Sequence, residues 1–289
     1  MKIGDKKTKY LLLITSLVLL LLLFPLYHLT KTNNAELAQR YNSKLSPIIM
    51  IPGSSATVNR FDEMVAKINK ETKQKHSLLK VEVSKNNELH YEGKIKKNDL
   101  EPFIVVGFEN NKDGYSNILK QAYYFNIAFN SLQKKYHFNH FKAIGHSNGG
   151  LIYTAFLENY FDKYSKEIKL TKMMTIGTPY NFSESSIEHK TQMLADFIQN
   201  RQRIPKNIYM YSVAGTENYT SDGIVPAESV MAGKYIYQGQ VKQFMEITIT
   251  GTKAQHSDLP QNSQIIDLIR RYIMNRHEPK SKEVKEKEK

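Results

Sequence analysis

His140–Ile144 reads as an apolar strand that runs into Gly145-His146-Ser147-Asn148-Gly149-Gly150 and out into an apolar helical stretch, Leu151–Phe161. Few local patterns constrain a fold so tightly. A G-x-S-x-G between a buried strand and a helix requires a very sharp turn. The serine must then take a strained backbone conformation, and side chains at Gly145 and Gly149 would clash with neighbouring elements. Such a turn exposes the Ser147 hydroxyl at the carboxyl end of a sheet strand. It also aims the Asn148 N–H and the helix N-terminus at charge developing on a bound carbonyl oxygen. The bland alternative is an ordinary strand–turn–helix in which Ser147 caps the helix.

The remaining chain supports the sheet that this turn needs. Pro47–Ile51 is a short apolar run ended by Pro52-Gly53-Ser54-Ser55, which predicts a buried strand feeding a loop. Arg60–Lys73 has helical spacing. Leu78–Val83 and Leu89–Ile95 predict a hairpin around Ser84–Asn87, and Pro102–Phe108 predicts another buried strand. A helix over Ile118–Tyr136, strands over Lys172–Ile176, Ile208–Ala214 and Met245–Thr250, and a closing helix over Ile265–Met274 complete the pattern. Alternating strands and helices imply a mainly parallel sheet with helices on both faces, an α/β fold.

A serine hydroxyl acting as nucleophile needs a base, and the base needs an orienting acid, each on a loop that follows a strand. Of the histidines after Ser147, His189 lies in a polar helical stretch and His277 borders the charged tail. His256 alone follows a strand and precedes the last helix. Asp222, in Thr220-Ser221-Asp222-Gly223-Ile224-Val225-Pro226, follows the preceding strand and is the candidate acid, although Asp-Gly is also a common turn pairing. Asp258, two residues beyond His256, is poorly placed to reach the imidazole. A second oxyanion donor is expected from the loop after the early strand, where Gly53 lets the backbone approach closely. The N–H of Ser54 is the first choice and that of Ser55 the second. His146 is expected to pack beside the turn.

These pieces, with Gly177-Thr178-Pro179 and Gln255-His256-Ser257-Asp258-Leu259, resemble the predicted membrane-bound cell-surface α/β-hydrolases of Gram-positive bacteria, relatives of lipases and esterases. The resemblance runs in order from about residue 46 to 275. It implies the α/β-hydrolase fold with a small helical cap, Ser147 as nucleophile, Asp222 as acid and His256 as base. Where relatives usually carry His-Gly at the oxyanion loop, this chain has Pro52-Gly53. A hole built from backbone N–H groups should tolerate that difference. The reading is a carboxylic-ester hydrolase acting on a small-molecule ester or lipid-like substrate, with no metal and no organic cofactor. The same residues could serve an amidase, a thioesterase or an acyltransferase on cell-envelope components, or persist in a non-catalytic surface module.

Tyr10–Leu29 contains no Asp, Glu, Lys or Arg. As a helix it would span roughly 30 Å, one hydrocarbon core. Lys2, Lys6, Lys7 and Lys9 precede it, which places the N-terminus in the cytoplasm and the rest outside. The expected organisation is therefore a basic cytoplasmic segment over 1–9, a single-pass transmembrane anchor over 10–29, a polar juxtamembrane linker or helix over 30–45, an extracellular hydrolase domain over 46–277 and a charged, disordered tail over 278–289. Cleavage as a signal peptide, giving a secreted form, is the alternative. The chain has no cysteine, which excludes disulfides, a thiolate nucleophile and a lipoprotein anchor. Its net charge of +13 comes from scattered lysines with no nucleic-acid motif, so no nucleic-acid partner is expected. The segment Phe182–Ile204 has an amphipathic pattern. It is expected to lie over the nucleophile, where Phe197 either lines an acyl pocket or packs on the core.

Overall fold

The computed structural model describes residues 3–251 and 253–274. The chain divides into two compact units, Met1–Ser43 and Lys44–Lys289. The first is one helix, α1 (Ile3–Tyr41), which continues through Pro25 without a break. Its apolar part is long and apolar enough to cross a membrane, with a mean hydropathy of 2.4 over 18 residues. The polar segment after Leu29 is helical as far as Tyr41.

The second unit is built on an eight-stranded sheet in the order β3-β2-β4-β1-β5-β6-β7-β8. Its elements are β1 (Ile48–Ile51), α2 (Asp62–Glu71), β2 (Leu78–Val83), β3 (Leu89–Gly93), β4 (Phe103–Phe108), α3 (Tyr115–Tyr136), β5 (His140–His146), α4 (Asn148–Asn159), β6 (Lys169–Ile176), α5 (Gln192–Asn200), β7 (Tyr209–Thr216), α6 (Ala227–Met231), α7 (Lys234–Tyr237), β8 (Gln243–Thr250) and α8 (Ser263–Leu268). All neighbouring strands pair in parallel except β3, which closes a hairpin antiparallel to β2.

The central strands read as unbroken apolar runs because both faces of the sheet are covered. Ile49, Ile51, Ile104 and Val106 point into one buried cluster with Phe125, Phe129 and Phe156. Their alternates Ile48, Met50, Phe103 and Val105 point into a second cluster with Met64, Ile68 and Ile265. From β4 the chain crosses by α3 to β5, on the far side of β1. Crevices for ligands in open α/β sheets form at the carboxyl ends of strands around such a reversal.

Three elements differ from the sequence reading. The helix expected to run to Met274 becomes a π-helix over Ile269–Ile273. The polar stretch around His189, expected to be helical, is a loop and its helix starts only at Gln192, because Asn181 ties the preceding residues. Its Nδ2 donates to the carbonyls of Ser186 and His189, and its Oδ1 accepts from the Thr191 N–H. The short helices α6 and α7, between Asp222 and β8, carry too few residues to show a period.

Candidate active site

Ser147, Ser54, Asp222 and His256 each sit past the carboxyl end of a parallel strand. Ser147 follows β5 and has φ 54° and ψ −127°, a region costly for a side-chain-bearing residue. It precedes α4 but makes no capping hydrogen bond through its side chain, so the helix does not consume its hydroxyl. The turn is held by the Ser147 N–H, which donates to the Ile176 carbonyl at 2.9 Å, and by the Thr178 hydroxyl, which donates to the Ser147 carbonyl at 3.0 Å. Gly149 lies against β1, where any Cβ would overlap the Ile51 carbonyl, and a Cβ at Gly145 would come within 2.5 Å of the Gly150 nitrogen.

The loop after β1 meets this turn side-on, since β1 and β5 are neighbours. A Cβ at Gly53 would stand 2.6 Å from that of Ser147, so only glycine lets the loop come so close. The Ser55 N–H donates to the Asn111 carbonyl at 2.9 Å and is spent. Among the described residues, the N–H groups of Ser54 and Asn148 enter no backbone hydrogen bond.

Asp222 is fully buried and His256 nearly so. The His256 Nδ1–H donates to Asp222 Oδ2 at 2.7 Å, and the His256 N–H donates to the Asp222 carbonyl at 2.8 Å. Asp222 Oδ1 accepts from the N–H groups of Val225 and Ile224 at 2.7 and 3.1 Å. The carboxylate is thus fixed by its own turn, and its remaining oxygen fixes the imidazole tautomer. His146 stacks obliquely on His256, with centroids 4.9 Å apart, and its Nε2–H donates to the His256 carbonyl at 3.1 Å. Burial, reinforced by His256 and Arg60, holds the His146 pKa well below its usual range, so that ring is a neutral support. Asp258 is exposed, and His189 lies on the surface. His277 lies outside the described residues.

Residues 35–276 match the model of a family described as α/β-hydrolases of unknown function, DUF915. The chain belongs to that family. A protein of Lactobacillus plantarum WCFS1 named as a cell surface hydrolase is 54% identical, with a TM-score of 0.74 over 80% of this chain and 92% of its own. The lin2722 product of Listeria innocua is 26% identical, with a TM-score of 0.73 over 80% of this chain and 95% of its own. No curated protein matches.

In this DUF915 hydrolase, Ser147 and His256 open into one cavity of about 700 Å³. One part of its wall is apolar, with Pro179, Phe182, Ile224 and Val225. The rest carries Ser54, Ser257, Arg60 and Asp113. Arg60 and Asp113 have no sequence signature, being a lone arginine before a helix and one of several loop acids. Asp113 Oδ1 accepts from Asn148 Nδ2 and from the Gly114 N–H, each at 2.7 Å. Of the two alternatives for Phe197, the structure has it packed on the core. Met193, Leu194 and Phe197 are buried in the core beneath α5, and none of them reaches the cavity. Only the start of that segment, Phe182 and Ser183, does so. Among the described residues, no group of three or more His, Asp or Glu side chains could hold a metal ion.

Proposed function

We propose that this chain is a serine hydrolase of carboxylic esters, with Ser147 as nucleophile, His256 as base and Asp222 as orienting acid. The observation that carries the reading is the Asp222–His256 hydrogen bond opening onto the cavity that a strained, uncapped Ser147 also lines. With Nδ1 protonated and tied to Asp222, the His256 Nε2 holds the lone pair needed to take the Ser147 proton as Oγ attacks the ester carbonyl. The N–H groups of Asn148 and Ser54 stabilise the tetrahedral oxyanion. As that intermediate collapses, the imidazolium returns the proton to the leaving alcohol, giving an acyl-enzyme. Water, deprotonated by His256, then attacks the acyl carbon and releases the acid. The apolar stretch of α1 anchors the chain in the membrane, with the lysines before it in the cytoplasm and the hydrolase unit outside.

A fluorophosphonate probe tests the reading, because it labels only an activated serine. Labelling of the wild type and none of Ser147→Ala is expected, together with hydrolysis of short 4-nitrophenyl esters that the variant loses. Persistence of either signal in the variant removes Ser147 from the role.

A further inference from the structure

Arg60 stands out among the cavity residues because its charge has no partner of matching kind. It sits ahead of α2, half-buried in the wall that Ser147 and His256 share. Its Nη2 donates to the Ser257 carbonyl at 2.5 Å. Among the described residues no carboxylate lies within ion-pair distance. Asp258 and Glu63 act on it only through space. A guanidinium carries five N–H donors in a planar fork, and a single backbone carbonyl leaves most of that capacity unused. Burial outweighs what these two carboxylates return, so a half-buried guanidinium with no direct ion pair gains from an anion brought to it.

Its position selects which part of a substrate it would meet. Arg60 is tied to the residue after His256, and His256 is the group that hands its proton to the leaving alcohol. The alcohol portion of a bound ester therefore lies on the Arg60 side. Asp113, pinned to Asn148, puts a negative charge beside the serine turn itself. The apolar side chains Pro179, Phe182, Ile224 and Val225 suit an uncharged acyl chain.

We infer that Arg60 is a specificity-determining residue and that the substrates are acyl esters of alcohols bearing an anionic group, a phosphate or a carboxylate, which Arg60 holds while Ser147 attacks. The inference rests on the serine-hydrolase reading.

The test compares two esters that differ only in the charge of the alcohol: 1-butyrylglycerol and 1-butyrylglycerol 3-phosphate. Full-length protein in detergent is used, and kcat/KM is read as the ratio of charged to neutral substrate. Any effect of Arg60 on the placement of His256 cancels in that ratio. The expected wild-type ratio is about tenfold or more, as for one charge-assisted hydrogen-bonded contact. It should fall towards one in Arg60→Gln and stay intermediate in Arg60→Lys, which keeps the charge without the fork. Raising ionic strength should lower the wild-type ratio, a readout that needs no variant. A third ester, 3-butyryloxypropanoate, read against its neutral amide 3-butyryloxypropanamide, separates carboxylate from phosphate as the preferred anion. A wild-type ratio near one for both anions overturns the inference, as does a raised ratio that survives Arg60→Gln. If fluorophosphonate labels Ser147 but none of these esters is cleaved, the substrate class is wrong and the enzyme reading stands. If nothing is labelled, the enzyme reading itself fails.

Discussion

Glu158 offers the sharpest check on the physics of the hydrolase unit. It lies in the last turn of α4, 5% exposed, and its Oε1 has no hydrogen-bond partner. Burial pushes its carboxyl from 4.5 up to about 9; Arg203 opposes the rise and Asp196 adds to it. The folded chain therefore keeps this proton to about pH 9, whereas the unfolded chain loses it near 4.5. Between those limits the folded state binds the extra proton, so stability declines as pH rises, by about 1.4 kcal/mol per unit. At pH 7 the accumulated cost is on the order of 3 kcal/mol, and it stops growing above pH 9. Glu158→Gln has nearly the shape of the protonated acid and nothing to ionise. It should therefore be more stable than the wild type by a margin that is near zero at pH 4.5 and widens with pH. At neutral pH the expected gain in Tm is roughly 6–12 °C. Thermal melts of both proteins at matched detergent, in steps from pH 5 to 9, measure the margin directly. A difference that stays flat across the series, or a variant less stable than the wild type, would refute the reasoning, because it would mean that Glu158 is ionised and compensated in the folded state.

Three further outcomes follow from the same geometry. Phe197→Ala should cost about 3–5 kcal/mol of stability and leave the ester chain-length profile unchanged, since its ring packs in the core beneath α5 and not in the cavity; an altered profile at wild-type stability would contradict this. Asp222→Asn should lower kcat by about 10⁴ through the wrong imidazole tautomer, while Asp258→Asn should be close to neutral; steady-state kinetics on both would expose an exchanged assignment. Protease added to intact protoplasts should remove the hydrolase unit, and complete protection would reverse the topology.

How far the sequence could be read depended on how local each determinant is. The strand–turn–helix around Ser147, the apolar run of β1 and the loops bearing Asp222 and His256 are all encoded within a few residues, and the structure places each at a strand end. Asn181 governs the loop up to Thr191 through side-chain bonds that no periodicity records, so the helix there was expected too early. The hydrogen bond that occupies the Ser55 N–H reaches Asn111, more than fifty positions away. The direction in which the amphipathic α5 faces was equally hidden. Its apolar stripe is plain in sequence, but what that stripe meets is set by distant partners, among them Tyr115, whose hydroxyl donates to Asp196 at 2.9 Å and whose ring meets Phe197 edge-on. Arg60 gained its setting only when the loop after His256 folded against it.

The positive φ of Ser147 has a consequence for the lineage as well as for the molecule. At φ 54° the residue works against the fold, and glycine at this position would relieve about 1–3 kcal/mol of backbone strain. Mutation pressure on a chain with no use for this hydroxyl would lean towards glycine, because the substitution relieves that strain. A serine kept here is held against that drift. Descendants that abandon the chemistry should betray it first at position 147, before the buried aspartate or the histidine has reason to change.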